Sequence, residues 1–215
     1  ISEQLVETVD LAFQRYLMAE LPWDYRLLGI KGARGSGKTT LLLQRMKLTA
    51  STTKSLYLSL DDLYFTTHSL LETVRQAVVL GYEVIYLDEV HKYEGWAREV
   101  KNAYDQYPAL KMVLTGSSIL DLESLEVDLS RRALLQELFG LSFREFLQLT
   151  TGQQLPSLRL ADLLQDHVEI ALAIIKSIRP LAYFEEYLQV GYFPFFLEGK
   201  EVYHPRLQQV IRATV

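Results

Sequence analysis

The chain has 215 residues, of which 49% are hydrophobic and 23% are charged, and its formal net charge is −5. This size and apolar content suffice for one sizeable core, or for one core with a small helical addition, and exclude two full enzyme domains. The acidic balance argues against a surface that is basic all over, the usual mark of nucleic-acid binding, although a local basic patch stays open.

Two absences in the sequence narrow the class of protein further. There is no cysteine, which excludes disulfides and cysteine-rich zinc sites and suits a reducing cytosol. No apolar run reaches the roughly 20 residues that span a bilayer, since the longest, Ile170 to Ile178, contains Lys176. We therefore expect a cytoplasmic protein with no membrane partner.

The first predicted element is a single amphipathic helix over Ser2 to Leu21, where apolar residues occur at helical spacing among acidic ones. From Arg26 onward, short apolar runs alternate with longer helical patterns, which predicts an α/β fold with a mainly parallel sheet. The five predicted strands are Leu27 to Lys31, Ser55 to Leu60, Val84 to Leu87, Met112 to Thr115 and Ala133 to Leu138. The predicted helices are Thr39 to Thr49, Ser69 to Leu80, Gly95 to Tyr107, Ile119 to Ser130 and Phe143 to Leu149.

The last part of the chain has a different pattern. Gly152 to Pro156 is polar and contains glycine and proline, which indicates a linker, and Leu158 to Ile178 and Leu181 to Val190 have helical patterns. We predict an α/β domain over residues 1–150 and a small helical region over residues 151–215. Because the helical pattern is still present at Val215, we expect this chain to be the N-terminal part of a longer protein.

A glycine-rich segment follows the first strand. Residues 32–39 fit the pattern G-x-x-x-x-G-K-[ST] between a predicted strand and a predicted helix. Glycines let backbone N–H groups turn around phosphate oxygens, Lys38 reaches the β and γ phosphates, and the Thr39 hydroxyl binds magnesium. A plain glycine-rich turn is the alternative, but the string arises by chance in roughly 1% of such chains. The sequence therefore predicts binding of ATP with Mg²⁺ by Gly32, Ala33, Arg34, Gly35, Ser36, Gly37, Lys38, Thr39 and Thr40.

An acidic pair, Asp88 and Glu89, ends the third predicted strand. Magnesium prefers few protein ligands and keeps several waters, which suits Asp88 as its ligand together with Thr39. Glu89 then faces the γ-phosphate as the base or orienting group for an attacking water, a task that a nucleotide kinase does not need. The alternatives are a solvated strand end, or a metal role for the rival pair Asp61 and Asp62.

Two further positions are candidates for the same site. The strand Met112 to Thr115 is followed by small polar residues, and Ser117 is predicted to contact the attacking water, although these residues also suit a turn and a helix cap. His91 follows the acidic pair and is interpreted as a residue that transmits nucleotide state or bonds Glu89, or else as an ordinary loop histidine.

Several segments together resemble a family of prokaryotic AAA+-related ATPases of uncharacterised role. They are GARGSGKTT at 32–40, LDEVHK at 87–92, TGSS at 115–118, LSRRA at 129–133 and LSFREFL at 141–147. The resemblance runs from about Tyr25 to Gly199 and implies an AAA+-like, three-layer α/β/α P-loop fold. It also implies a helical region and then a C-terminal domain of unknown function that this chain does not include.

The resemblance also suggests a role for one arginine. The family commonly has Gly-Arg where this chain has Arg131 and Arg132, so Arg132 matches the family arginine that, in AAA+-like subunits, reaches a neighbour's γ-phosphate. This implies a homo-oligomer and slow hydrolysis in isolation. The alternative is a pair of solvated or salt-bridged surface arginines.

The first hypothesis is an ATP hydrolase that drives or gates a conformational change in a larger protein. It uses Lys38, Thr39, Asp88, Glu89 and Ser117 around MgATP. The second is a nucleotide-gated assembly or partner-binding switch with little turnover, and the third, disfavoured by Glu89, is a small-molecule kinase. The residues point to no particular protein or nucleic-acid partner.

Overall fold

The computed structural model describes residues 2–116 and 131–212. The chain forms two compact units, residues 2–139 and 140–212. The predicted helix over Ile119 to Ser130 and the candidate Ser117 lie outside the described residues.

The first unit contains a five-stranded sheet in which every pairing is parallel. Its strands are β1 Leu27–Lys31, β2 Ser55–Ser59, β3 Val84–Asp88, β4 Lys111–Gly116 and β5 Leu134–Glu137. They lie in the order β2-β3-β4-β1-β5. The five predicted strands are thus confirmed, with each end within one residue of its predicted position. Because β4 lies between β1 and β3, the residues that end these three strands meet at one edge of the sheet.

Helices cover both faces of this sheet. The helices are α1 Ser2–Thr8, α2 Leu17–Glu20, α3 Lys38–Thr49, α4 Leu70–Val79 and α5 Trp96–Gln106, with 3-10 helices at Leu63–Thr66 and Val90–Lys92. Successive strand residues point to opposite faces, so Leu27, Ile85 and Leu114 pack with α4 and α5. Leu28 and Ile30 pack with α2 and α3 on the other face. This is the predicted three-layer α/β/α fold.

The prediction of one helix over Ser2 to Leu21 is wrong, because the structure has two helices with an irregular segment between them. Side chains of α3 bind the backbone there. Gln44 donates from Nε2 to two carbonyls of this segment at 2.7 Å each, and Lys47 donates from Nζ at 2.7 Å each to the Val9 carbonyl in the segment and to the Glu7 carbonyl at the end of α1. The Asp10 carboxylate also accepts from the Ala12 N–H at 2.9 Å. These bonds replace the helical ones that the local pattern favours.

The second unit is helical. It contains α6 Phe143–Thr151, α7 Leu160–Ser177, α8 Phe184–Val190 and α9 Lys200–Arg212, with 3-10 helices at Pro180–Tyr183 and Pro194–Glu198. The predicted capping box begins α6, with Glu145 N–H donating to Ser142 Oγ and Ser142 N–H donating back to the Glu145 carboxylate. The core of this second unit is aromatic. The centroid of the Phe146 ring lies 5.0 Å from that of Phe196 and 5.5 Å from that of Tyr187. Within the described residues, no helix has the length and apolar character needed to cross a membrane.

Candidate nucleotide-binding site

The glycine-rich segment forms the connection from the end of β1 to the start of α3. Gly35 and Gly37 have φ values of 82° and 96°, in the left-handed region that glycine adopts without steric penalty. Gly32 has a different requirement, because a Cβ placed there would lie 2.4 Å from the Leu138 carbonyl oxygen. The segment passes too close to the end of β5 for any side chain at that position. These three glycines therefore determine the path of the loop.

The first residue of α3 is a buried cation. Lys38 is 3% exposed, and its Nζ donates to the carbonyl oxygens of Gly32 at 2.7 Å and Ala33 at 3.1 Å. Burial lowers the pKa of this ammonium, although the nearby carboxylates of Glu89 and Asp88 oppose the shift. The Lys38 charge thus lies against the glycine-rich loop, where an anion bound to the loop would stabilise it.

Asp88 joins the loop to the sheet. It ends β3 and is 2% exposed. Its Oδ2 accepts from the Thr39 hydroxyl at 2.6 Å and from the Tyr57 hydroxyl at 2.8 Å, and its Oδ1 accepts from the Thr115 hydroxyl. Thr39 and Asp88, the two predicted metal ligands, are therefore in direct contact.

Tyr57 and Thr115 are residues of this site that sequence reasoning missed. Tyr57 lies in β2 and Thr115 in β4, the strands on either side of β3. Burial, and then the charge of Asp88, raise the pKa of Tyr57. The hydroxyl therefore stays protonated and is the donor in its hydrogen bond to Asp88. Thr115 ends the predicted strand Met112 to Thr115, directly before the small polar residues that include Ser117.

Glu89 has an unusual backbone conformation. Its φ of 55° is the only positive value at a non-glycine position among the residues described, and such a conformation costs a side chain about 1–2 kcal/mol. Its N–H donates to Thr115 Oγ1 at 3.1 Å, and its carboxylate lies 3.3 Å from His91 Nε2. Strain of this kind is concentrated at functional sites. His91 is thus in contact with the predicted base.

The two predicted arginines lie apart from this cluster. Arg132 precedes β5, so it lies at the edge of the sheet opposite the loop that follows the parallel strand β1. It forms a salt bridge with Asp105, with Nε 3.1 Å from Oδ1. Arg131 is exposed. Asp62 caps a 3-10 helix by accepting from the Tyr64 N–H at 2.8 Å.

The donor set at Thr39 and Asp88 fits a magnesium ion. Over residues 2–116 and 131–212, no group of three or more histidine, cysteine or acidic side chains could hold a metal. One carboxylate and one hydroxyl are nonetheless what magnesium needs from a protein when phosphate oxygens and water complete its shell. A magnesium ion there would supply positive charge to the phosphate oxygens of a bound nucleotide.

The sheet order, the loop between β1 and α3, and the buried Lys38 beside Asp88 define the class: this is a P-loop nucleoside triphosphatase fold. A family profile described as an AAA domain matches residues 24–147, and the chain belongs to this AAA domain family. Domains of this type generally bind ATP with Mg²⁺.

The chain is also similar to an uncharacterised protein of Methanocaldococcus jannaschii. The two are 31% identical over an alignment of 191 residues, and the match covers 82% of this chain and 40% of that protein. The chain therefore spans less than half the length of this relative.

Proposed function

We propose that this chain hydrolyses MgATP and that the hydrolysis drives or gates a conformational change in a larger protein. The observation that carries the proposal is the contact of Thr39 with Asp88 beside the buried Lys38. A cation, a hydroxyl and a carboxylate that converge at the start of one helix match what triphosphate and magnesium require. The loop residues 32–40 contact the phosphates in this proposal.

Glu89 is the proposed general base. It follows Asp88 directly, and the bond from its N–H to Thr115 holds its strained backbone at the end of β3. It takes a proton from a water molecule, whose oxygen forms a bond to the γ-phosphorus while the bond to the bridging oxygen breaks. The products are ADP and phosphate. Ser117, the next residue in the sequence after β4, is proposed to contact that water.

A second candidate function is a nucleotide-gated switch for assembly or partner binding with little turnover. The location of Arg132 favours the switch. Arg132 is bonded to Asp105 at the edge of the sheet opposite the phosphate loop of the same subunit. Arg132 of a subunit therefore does not contact the γ-phosphate of a nucleotide bound to that same subunit. In the hydrolase proposal, a second copy supplies Arg132 in trans.

The rate of phosphate release, measured over a wide range of protein concentration, separates these two functions. The hydrolase proposal predicts Mg²⁺-dependent release of phosphate that rises faster than linearly with protein concentration, because more subunits then gain a neighbour's arginine. Tight ATP binding with negligible turnover at every concentration would instead support the switch.

A further inference from the structure

The irregular segment between α1 and α2 is bonded to the helix that follows the phosphate loop. Gln44 of α3 is 3% exposed and donates to the carbonyls of Asp10 and Phe13. These bonds attach the backbone on both sides of residues 11 and 12 to α3.

Arg15 reaches from this segment to the loop itself. It is 5% exposed, and its two terminal nitrogens donate to different parts of the unit. Nη1 donates to the Ser36 carbonyl at 2.5 Å and Nη2 to the Phe139 carbonyl, just after β5, at 2.8 Å. The planar guanidinium holds both bonds in one rigid fork, so it joins the loop to the end of the neighbouring strand.

The bond to Ser36 also orients the next N–H group of the loop. The Ser36 carbonyl and the Gly37 N–H belong to one planar trans peptide and point in opposite directions. The φ of 96° at Gly37 is a value that residues with a side chain rarely adopt, and glycine by itself restrains the rotation of this peptide little. A donor that holds the carbonyl therefore turns the Gly37 N–H away from Arg15.

We infer that Arg15 is a positioning residue of the phosphate loop, which holds the Gly37 N–H in the orientation that donates to a phosphate oxygen. The inference rests on the proposed binding of a nucleotide. It adds the N-terminal segment, which lies outside the matched residues 24–147, to the nucleotide site. A purely structural bond that only secures the N-terminal segment is the competing explanation.

The first test is the amide resonance of Gly37 in the ¹⁵N-labelled chain without nucleotide. Arg15→Ala is expected to shift it, because the Ser36–Gly37 peptide loses its restraint. Gln44→Ala is the matched control, since it removes bonds between the N-terminal segment and α3 but leaves the bonds of Arg15 to the Ser36 and Phe139 carbonyls, and it is expected to leave the resonance in place. An unmoved Gly37 resonance in Arg15→Ala would overturn the inference.

The second test is the affinity for ADP, measured by calorimetry on the same variants. Arg15→Ala is expected to lower it about tenfold or more, the size expected for loss of a hydrogen bond to a charged group. Gln44→Ala is expected to bind as the unsubstituted chain does, even where its unfolding midpoint falls equally. Equal affinities of the two variants would contradict a positioning role.

Arg15→Lys keeps the charge but loses the planar fork, so its affinity for ADP is expected to lie between those of Arg15→Ala and the unsubstituted chain. If Arg15→Ala does not fold, the Gly37 resonance and the affinity for ADP are measured on Arg15→Lys instead. If the unsubstituted chain binds no ADP, the proposed function fails, while the Gly37 resonance still decides whether Arg15 orients the loop.

Discussion

The Thr39 hydroxyl donates to Asp88 Oδ2 over 2.6 Å and so joins the start of α3 to the end of β3. Helix α3 follows β1 in the chain, and β4 lies between β1 and β3 in the sheet. Thr115 at the end of β4 bonds to the other oxygen of the same carboxylate. Asp88 is therefore held from both sides in a fixed orientation, which a metal ligand requires.

Asp88→Asn tests the metal role of this carboxylate. The amide keeps the shape of the side chain but presents no full negative charge to a cation. We expect this variant to bind ATP without magnesium about as well as the unsubstituted chain does, and to lose the gain in affinity that magnesium gives. Titrations of ATP with and without Mg²⁺ measure this. An unchanged magnesium effect would place the metal elsewhere, with Asp61 and Asp62 the next candidates.

Thr115→Val tests a contact that only the structure reveals. The substitution keeps the branched shape but removes a hydroxyl that serves both Asp88 and the Glu89 N–H. Loss of a buried partner of this kind leaves other polar groups unsatisfied and lowers the free energy of unfolding by about 1–3 kcal/mol. Urea unfolding measures it, with Thr52→Val at an exposed position as the control. A change as small as that of the control would contradict the account.

The strands and the loop could be predicted from sequence because their signals are local. A parallel strand covered on both faces is a continuous apolar run, and the glycines at 32, 35 and 37 are needed by the loop's own backbone and its approach to β5. Tyr57 and Thr115 could not be predicted in the same way, because their contacts with Asp88 depend on which strands lie beside β3. The N-terminal helix was mispredicted for a related reason, since the bonds from Gln44 and Lys47 come from a distant helix.

Glu89→Gln separates binding from catalysis. The amide keeps the size of the side chain but cannot take a proton from water, so turnover is expected to fall about 10²- to 10⁴-fold. Affinity for MgATP is expected to stay near that of the unsubstituted chain. Steady-state phosphate release and a binding titration on one preparation measure both quantities. Hydrolysis at the normal rate in this variant would assign the base to another residue.

Arg132→Ala tests the proposed arginine in trans. A cation from a neighbour contributes about 10³- to 10⁵-fold to phosphoryl transfer, so this variant is expected to lose the rise of specific activity with protein concentration and to keep its ATP affinity. Mixing it with Lys38→Ala is expected to restore some turnover, because each variant supplies what the other lacks. Arg131→Ala is the matched control and should have the smaller effect.

The contradicting result for Arg132 is also specific. If specific activity does not change with concentration and Arg132→Ala hydrolyses ATP normally, the salt bridge with Asp105 is the whole role of this side chain.

The most direct test of the central claim is a calorimetric titration of MgATP into the unsubstituted chain and into Lys38→Ala. The claim predicts saturable binding at one site in the first, and an affinity at least about tenfold to a hundredfold weaker in the second, because a buried cation no longer meets the phosphates. Lys47→Ala on the same helix controls for the loss of a lysine, and all three proteins should remain folded. Equal affinity of Lys38→Ala and the unsubstituted chain for MgATP would contradict a nucleotide site at this loop.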